Sequence, residues 1–129
     1  MFLQEGMGHT YSFEKLEVWQ RSRVLVKMVY QNTRHYPSSE TYGLTSQLRR
    51  AAVSICTNLA EGSARKTAKD QANFSTMAYS SLMEVLTLTL ISSDLEYIDN
   101  QQLSDLRELI EELSNKINAL RRSQSDGNK

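Results

Sequence analysis

The sequence predicts an all-α fold, an antiparallel up-down-up-down four-helix bundle. Three observations point there. One proline and five glycines among 129 residues are too few turn-formers for a many-stranded β protein. Apolar residues recur at spacings of three and four through most of the chain, the period of a helix with one buried face. The breaks between these segments are short, which makes consecutive helices antiparallel neighbours. A chain of this length buries about two-thirds of its unfolded surface in one core, so one domain is expected.

Residues 1–11 read as an N-terminal tail without periodicity, 12–122 as the bundle, and 123–129 as a polar tail that frays. The first helix is expected from near Ser12 to near Tyr36. Pro37 stops it, because the residue before a proline is pushed out of the helical region. Its apolar residues form two rows, one of Leu16, Trp19, Val26 and Tyr30, the other of Val18, Leu25, Val29 and Tyr36. After the turn Pro37-Ser38-Ser39-Glu40, a second helix should end near Gly62, glycine being the preferred residue just past a helix end. Thr67 with Asp70 resembles a capping box that opens a third helix reaching toward Tyr97. Asp99 or Asn100 caps the fourth. There Leu103, Leu106, Ile110, Leu113, Ile117 and Leu120 make a seam with alternating three- and four-residue steps.

Two helices carry more apolar surface than one bundle needs. At about 100° per residue, Phe74, Ala78, Val85 and Leu88 share one side of the third helix. Tyr79, Met83, Leu86 and Leu90 project well away from them. On the second helix, Leu44, Leu48, Ala52, Ile55 and Leu59 face one way, and Val53, Cys56 and Ala60 face roughly opposite. Such surplus predicts self-association through Val53, Cys56, Ala60, Tyr79, Met83, Leu86 and Leu90, the alternative being a scatter of ordinary exposed apolar residues.

Few chemistries fit the residue types present. Neither His9 nor His35 follows a Glu by three residues, the spacing that di-iron bundles use to aim both ligands inward. No Arg stands four to six residues ahead of either histidine, as in small helical ribonucleases. Phosphate-cradling glycine loops, nucleophile elbows and zinc-ligand clusters are missing from the sequence, and neither a cofactor nor a metal is expected. Cys56 lies among Val53, Ile55 and Ala60, the setting of a small buried or interface thiol rather than a nucleophile. A polar stripe of Gln47, Ser54, Asn58 and Glu61, with Glu84 in the apolar part of the third helix, reads as an inter-helix hydrogen-bond network that fixes register. The alternative is a polar pocket for a small ligand.

Charge is balanced overall, 15 Lys and Arg against 15 Asp and Glu, but segregated along the chain. From Arg21 to Lys69, nine basic residues face only Glu40 and Glu61; from Glu84 to Glu112, eight acids face only Arg107. Arg49, Arg50, Arg65, Lys66 and Lys69 are the candidate nucleic-acid contacts. Alternatively the basic and acidic halves meet each other, within one bundle or between subunits. The start of the chain lacks the basic and apolar regions of a signal peptide, and no run approaches the length of a membrane span. With a single cysteine, a cytoplasmic protein with no membrane partner is expected.

Residues 36–62 contain the pattern P-x-x-E-x-Y-G-L-x-x-Q-x-R-R-A-x-x-S-x-x-x-N-x-A-E-G, from Pro37 through Glu40, Tyr42, Gly43, Gln47, Arg49, Arg50, Ser54 and Asn58 to Gly62. Phe13, Leu16, Val18 and Trp19 upstream, and Phe74, Ser81, Leu82 and Glu84 downstream, extend it. The pattern resembles the signature of the bacterial four-helix-bundle, or 23S rRNA intervening-sequence, protein family over about residues 13–120. That resemblance implies an antiparallel four-helix bundle assembling as a homopentamer. It also implies kinship with the accessory variability protein of diversity-generating retroelements, a basic protein that associates with reverse transcriptase and nucleic acid. The expectation is therefore a non-enzymatic, homo-oligomeric, pentameric scaffold that binds RNA or a ribonucleoprotein weakly. A protein–protein adaptor without nucleic-acid contact is the alternative.

Overall fold

The computed structural model describes residues 8–126; residues 1–7 and 127–129, assigned to the two tails, lie outside the described residues. A 3₁₀ turn, Ser12–Lys15, precedes α1 (Glu17–Thr33), and a second, Ser38–Glu40, precedes α2 (Leu44–Ser63). Then come α3 (Ala68–Asp94) and α4 (Asn100–Asp126). Among the described residues there is no strand. The fold is the expected four-helix bundle. Helix α1 packs on α2 and α4, and α3 packs on α2 and α4, so α1–α3 and α2–α4 are the diagonals. Each neighbouring pair is antiparallel. In α1–α2, Thr33 meets Arg49 while Ser22 meets Cys56; in α1–α4, Asn32 meets Gln102 while Arg21 meets Glu112.

The helix ends show local chemistry that periodicity does not. Leu16 is extended (φ −74°, ψ 122°), so the first helix begins at Glu17 and not near Ser12. At its other end the ladder tightens: His35 N–H donates to Asn32 O and Tyr36 N–H to Thr33 O, and the α-helix stops at Thr33. Glu40 opens α2 by accepting from the Leu44 N–H at 3.0 Å, a carboxylate placed at the positive end of the helix. Its other oxygen accepts from Tyr97 Oη at 3.0 Å, which ties the start of α2 to the α3–α4 connection.

Gly62 does not stop α2. The helix continues to Ser63, and Gly62 lies buried within it. A Cβ added there would stand 2.8 Å from the Cβ of Phe74, so this residue lets α3 approach α2 closely rather than supplying a left-handed turn. Helix α3 opens as expected, with Thr67 Oγ1 accepting from the Asp70 N–H at 3.1 Å. It ends three residues short of Tyr97, because Glu96 takes φ 61° and the Tyr97 N–H returns to Ser92 O at 2.9 Å. Of the two candidate caps for α4, Asp99 serves: its Oδ1 accepts from the Gln102 N–H while Gln102 Oε1 accepts from its own N–H, a reciprocal capping box. Ser123–Asp126, placed by the sequence in a fraying tail, continue α4, and Ser75 Oγ donates to Gln124 Oε1 at 2.7 Å.

The core holds most of the rows that periodicity singled out, but not Leu16, Trp19, Val26 and Tyr30, which are only partly covered, Tyr30 being 38% exposed. Val18, Leu25, Val29 and Tyr36 from α1 and its end are buried, as are Leu44, Leu48, Ala52, Ile55 and Leu59 from α2. Ala78, Leu82, Val85 and Leu88 from α3 meet Leu106, Ile110, Leu113 and Ile117 from α4. Helix α3 is the least one-sided of the four. By length and composition alone it would pass for a membrane span, yet Ala78, Leu82 and Val85 are wholly buried in the bundle.

Gly62→Ala should lower stability by about 1–3 kcal/mol, the usual penalty of overpacking a close helix contact. Thermal unfolding checks it, and an unchanged midpoint would contradict the approach of α2 to Phe74.

Candidate functional site

Because α1–α2 and α3–α4 are opposite sides of the square, the two apolar surpluses point in opposite directions. On the first side, Val26, Tyr30, Val53 and Cys56 floor a groove flanked by Arg23 and Lys27. The groove continues past Tyr30 and Val53 into a recess with Thr45, Ser46, Arg49, Arg50 and Tyr42, whose ring is 96% exposed. No acidic residue lines either part. Arg49 is held in place: its Nε donates to Thr33 Oγ1 at 2.9 Å, and its guanidinium lies 4.4 Å from the centre of the Tyr30 ring. Arg23 lies 5.0 Å from the Trp19 ring centre. Val53 is 38% exposed, and Cys56 and Ala60 are half-buried.

On the opposite side, Met83, Leu86 and Ile110 line a second groove edged by Arg107, Glu108, Glu111 and Ser114. Tyr79 is half-buried under Arg121, whose guanidinium is 5.1 Å from its ring centre, and Leu90 is 37% exposed. The structure thus divides Val53, Cys56, Ala60, Tyr79, Met83, Leu86 and Leu90 into two faces. The first is rimmed with basic residues alone, while the groove of the second is edged by two acids and one cation, Arg107, with Arg121 over Tyr79. Arg23, Lys27, Tyr30 and Tyr42 were not singled out as surface contacts from the sequence. The signal was present as cations one helical turn from apolar residues on two neighbouring helices.

The polar stripe is only partly a network. Ser54 Oγ lies 2.9 Å from Ser81 Oγ, and Asn58 Nδ2 donates to Ser54 O at 3.0 Å and to Ser54 Oγ at 3.1 Å. Gln47, Glu61 and Glu84 are exposed, so Glu84 is not the buried carboxylate that its apolar neighbours in sequence suggest. Gln47 and Glu84 instead rim a shallow recess between α2 and α3 with Arg50, Ala51 and Ser54. The motif positions Gln47, Ala51, Ser54, Asn58 and Gly62 follow steps of four, three, four and four. They form the edge of α2 that meets α3.

Cys56 faces Ser22, whose Oγ lies 3.0 Å from its Sγ. Burial pushes the thiol pKa up, against the smaller opposing effect of that hydrogen bond, so it stays protonated near neutrality. His9 and His35 are exposed. No cluster of three or more metal-ligating side chains exists among the described residues.

The basic candidates fall into separate groups. Arg50 is exposed on α2, and fifteen residues on, about 22 Å along a helix, Arg65, Lys66 and Lys69 are exposed around the α2–α3 turn. Arg65 packs 4.4 Å from the Phe74 ring centre. Basic and acidic groups meet within one chain on the solvent side of α1 and α4: Arg21 makes a two-pronged contact with Glu112 at 2.8 and 3.0 Å, and Lys116 reaches Glu17 at 3.0 Å. The Arg21 hydrogen bond holds the Glu112 carboxyl below the usual carboxylate range, with burial opposing.

The sequence model of the 23S rRNA-intervening sequence protein family matches residues 14–119. The chain belongs to that family. No curated protein sequence matches it. Among solved structures, it is similar to a protein of unknown function from the S23 ribosomal protein family of Bacteroides thetaiotaomicron. The TM-score is 0.73 at 18% identity, covering 81% of this chain and 97% of that one, which shows a shared fold. The intervening-sequence family pattern therefore sits on a bundle in which Glu40 caps α2 and ties down Tyr97. The same pattern puts Ser54, Asn58 and Gly62 along the seam with α3.

Asn58→Ala should lower stability by about 1 kcal/mol, since it strips a partner from half-buried Ser54; a neutral thermal unfolding curve would remove Asn58 from the structural network. Because the Glu112 pKa is depressed, its stabilising effect is present above the ordinary value of 4.5 and fades as pH falls through the lower, folded value. The loss of urea resistance between pH 5 and pH 3 should accordingly be smaller in Glu112→Gln than in the native chain.

Proposed function

We propose that this intervening-sequence family protein is a non-enzymatic, cytoplasmic, homo-oligomeric scaffold that contacts RNA or a ribonucleoprotein weakly. The observation that carries the reading is the pair of apolar grooves on opposite sides of the bundle, each with partly uncovered residues such as Val53 and Leu86. Apolar surface left uncovered on one subunit is stabilised by burial against another. Five copies are the number that family resemblance implies. The non-enzymatic part is supported by the state of Cys56, the chain's one thiol, which is protonated, half-buried and hydrogen-bonded to Ser22 rather than to a base. Cytoplasmic residence accords with that single cysteine.

The RNA part has two supports. The family is described by the rRNA insertions that name it, and Arg50, Arg65, Lys66 and Lys69 stand exposed. Arg49 contributes less, since Thr33 and Tyr30 already occupy its guanidinium. A neutral protein gains little long-range attraction to phosphate, which keeps the contact weak.

Light scattering at micromolar concentration should give a particle several times 14.7 kDa, close to fivefold for a ring. A particle of one chain's mass would end the scaffold reading. RNA affinity should fall steeply with salt, and Arg50→Ala, Arg65→Ala or Lys66→Ala should each reduce the salt slope by about 1. Binding that ignores salt, or none, leaves a protein-only adaptor.

A further inference from the structure

We infer that the subunits join head to tail, the α1–α2 groove of one copy receiving the α3–α4 face of the next. This rests on the oligomeric reading above and specifies its contact. The two faces differ in kind. The first has an apolar floor that includes Val53, rimmed by Arg23 and Lys27; the second has an apolar floor that includes Leu86, rimmed by Glu108 and Glu111 with one cation, Arg107.

Two-fold pairing sets a patch against its own copy. With the α1–α2 groove it brings Arg23 and Lys27 against a second Arg23 and Lys27. Like charges juxtaposed at a contact that excludes water oppose association, so the all-cationic rim disfavours pairing of this groove with itself. The α3–α4 rim carries two acids to one cation, Arg107, and is the complementary surface. Pairing the unlike faces sets Arg23 and Lys27 against Glu108 and Glu111 and covers both apolar floors at once. Geometry agrees: the faces lie on opposite sides of one bundle, so a copy bound at one leaves the other free for the next. Such a contact closes into a ring where the rotation per subunit allows, and never stops at a symmetric dimer. The occupant of the apolar floor between Arg23, Lys27 and Val53 is accordingly a second copy of this chain. RNA contact is left to Arg65, Lys66 and Lys69 at the α2–α3 turn and to Arg50 where it borders the α2–α3 recess. The pairing also accounts for the charge segregation along the sequence, whose basic first half supplies one face and acidic second half the other.

A mixing experiment tests this. Val53→Glu blocks the groove and leaves the α3–α4 face intact; Leu86→Glu does the reverse. Both positions are partly exposed, so each variant should fold, as circular dichroism would show; Leu90→Glu replaces Leu86→Glu if that chain unfolds. Each variant alone should scatter as a single chain of 14.7 kDa. An equimolar mixture should give twice that mass, because one intact groove and one intact face remain between them. A mixture that stays at one chain's mass, or a folded single variant that keeps the native particle mass, overturns the pairing while leaving the oligomer standing. Loss of RNA binding in Val53→Glu without loss of mass assigns the groove to RNA and also overturns it. A native chain that is itself monomeric removes the scaffold reading and this contact together.

Discussion

The close approach of α2 to α3 is the constraint on which the rest of the bundle turns. Gly62 leaves no room for a Cβ beside Phe74, and the Ser54 and Ser81 hydroxyls bridge the two helices midway. Ala51, Ala52 and Ile55 are buried along the same stretch of α2. Small residues at steps of three and four bring two helix axes near each other, and a hydrogen bond fixes their register. Once α2 and α3 lock together, their remaining apolar sides are rotated outward. Val53 and Cys56 turn toward α1, and Met83 and Leu86 toward α4. One helix on each flank covers those residues incompletely.

The family pattern acquires a physical meaning on this frame. Gln47, Ala51, Ser54, Asn58 and Gly62 trace the α2 edge that meets α3, and Glu40 and Gly43 belong to the turn that starts α2. Gly43 is constrained as well, since a Cβ there would stand 2.7 Å from the Glu40 oxygen that caps the helix. The two arginines of the pattern part company: Arg49 is pinned on α1 by Thr33 and Tyr30, while Arg50 stands at the mouth of the α2–α3 recess. Much of the pattern therefore encodes how helices meet, while Tyr42, Gln47, Arg50 and Glu61 stand exposed.

How much of this was legible beforehand follows from the range of each interaction. The rows Val18, Leu25, Val29 and Leu106, Ile110, Leu113, Ile117 are read from spacing alone, because a buried face repeats with the helix. The cap at Thr67 was legible for the same local reason, and Asp99 was one of two candidates offered for α4. Gly62 was misread as a stop because its constraint comes from Phe74, on another helix. The apolar sequence neighbours of Glu84 assign it to the inter-helix network, yet it stands exposed at the rim of the α2–α3 recess. The link from Glu40 to Tyr97 spans 57 residues and leaves no mark in either segment. Of the candidate surfaces, the residues were legible, but their division into two opposed grooves needed the order of helices around the square.

One carboxylate group has an outsized reach. Glu40 serves two masters: one oxygen holds the first turn of α2, the other anchors a tyrosine from the far connection, whose own ring leans on Tyr36 at 5.2 Å. Two chain segments distant in sequence, the α1–α2 turn with the start of α2 and the α3–α4 connection, thus share a single latch at one pole of the molecule. Loosening either frees the other, so that pole is expected to breathe as one unit rather than loop by loop.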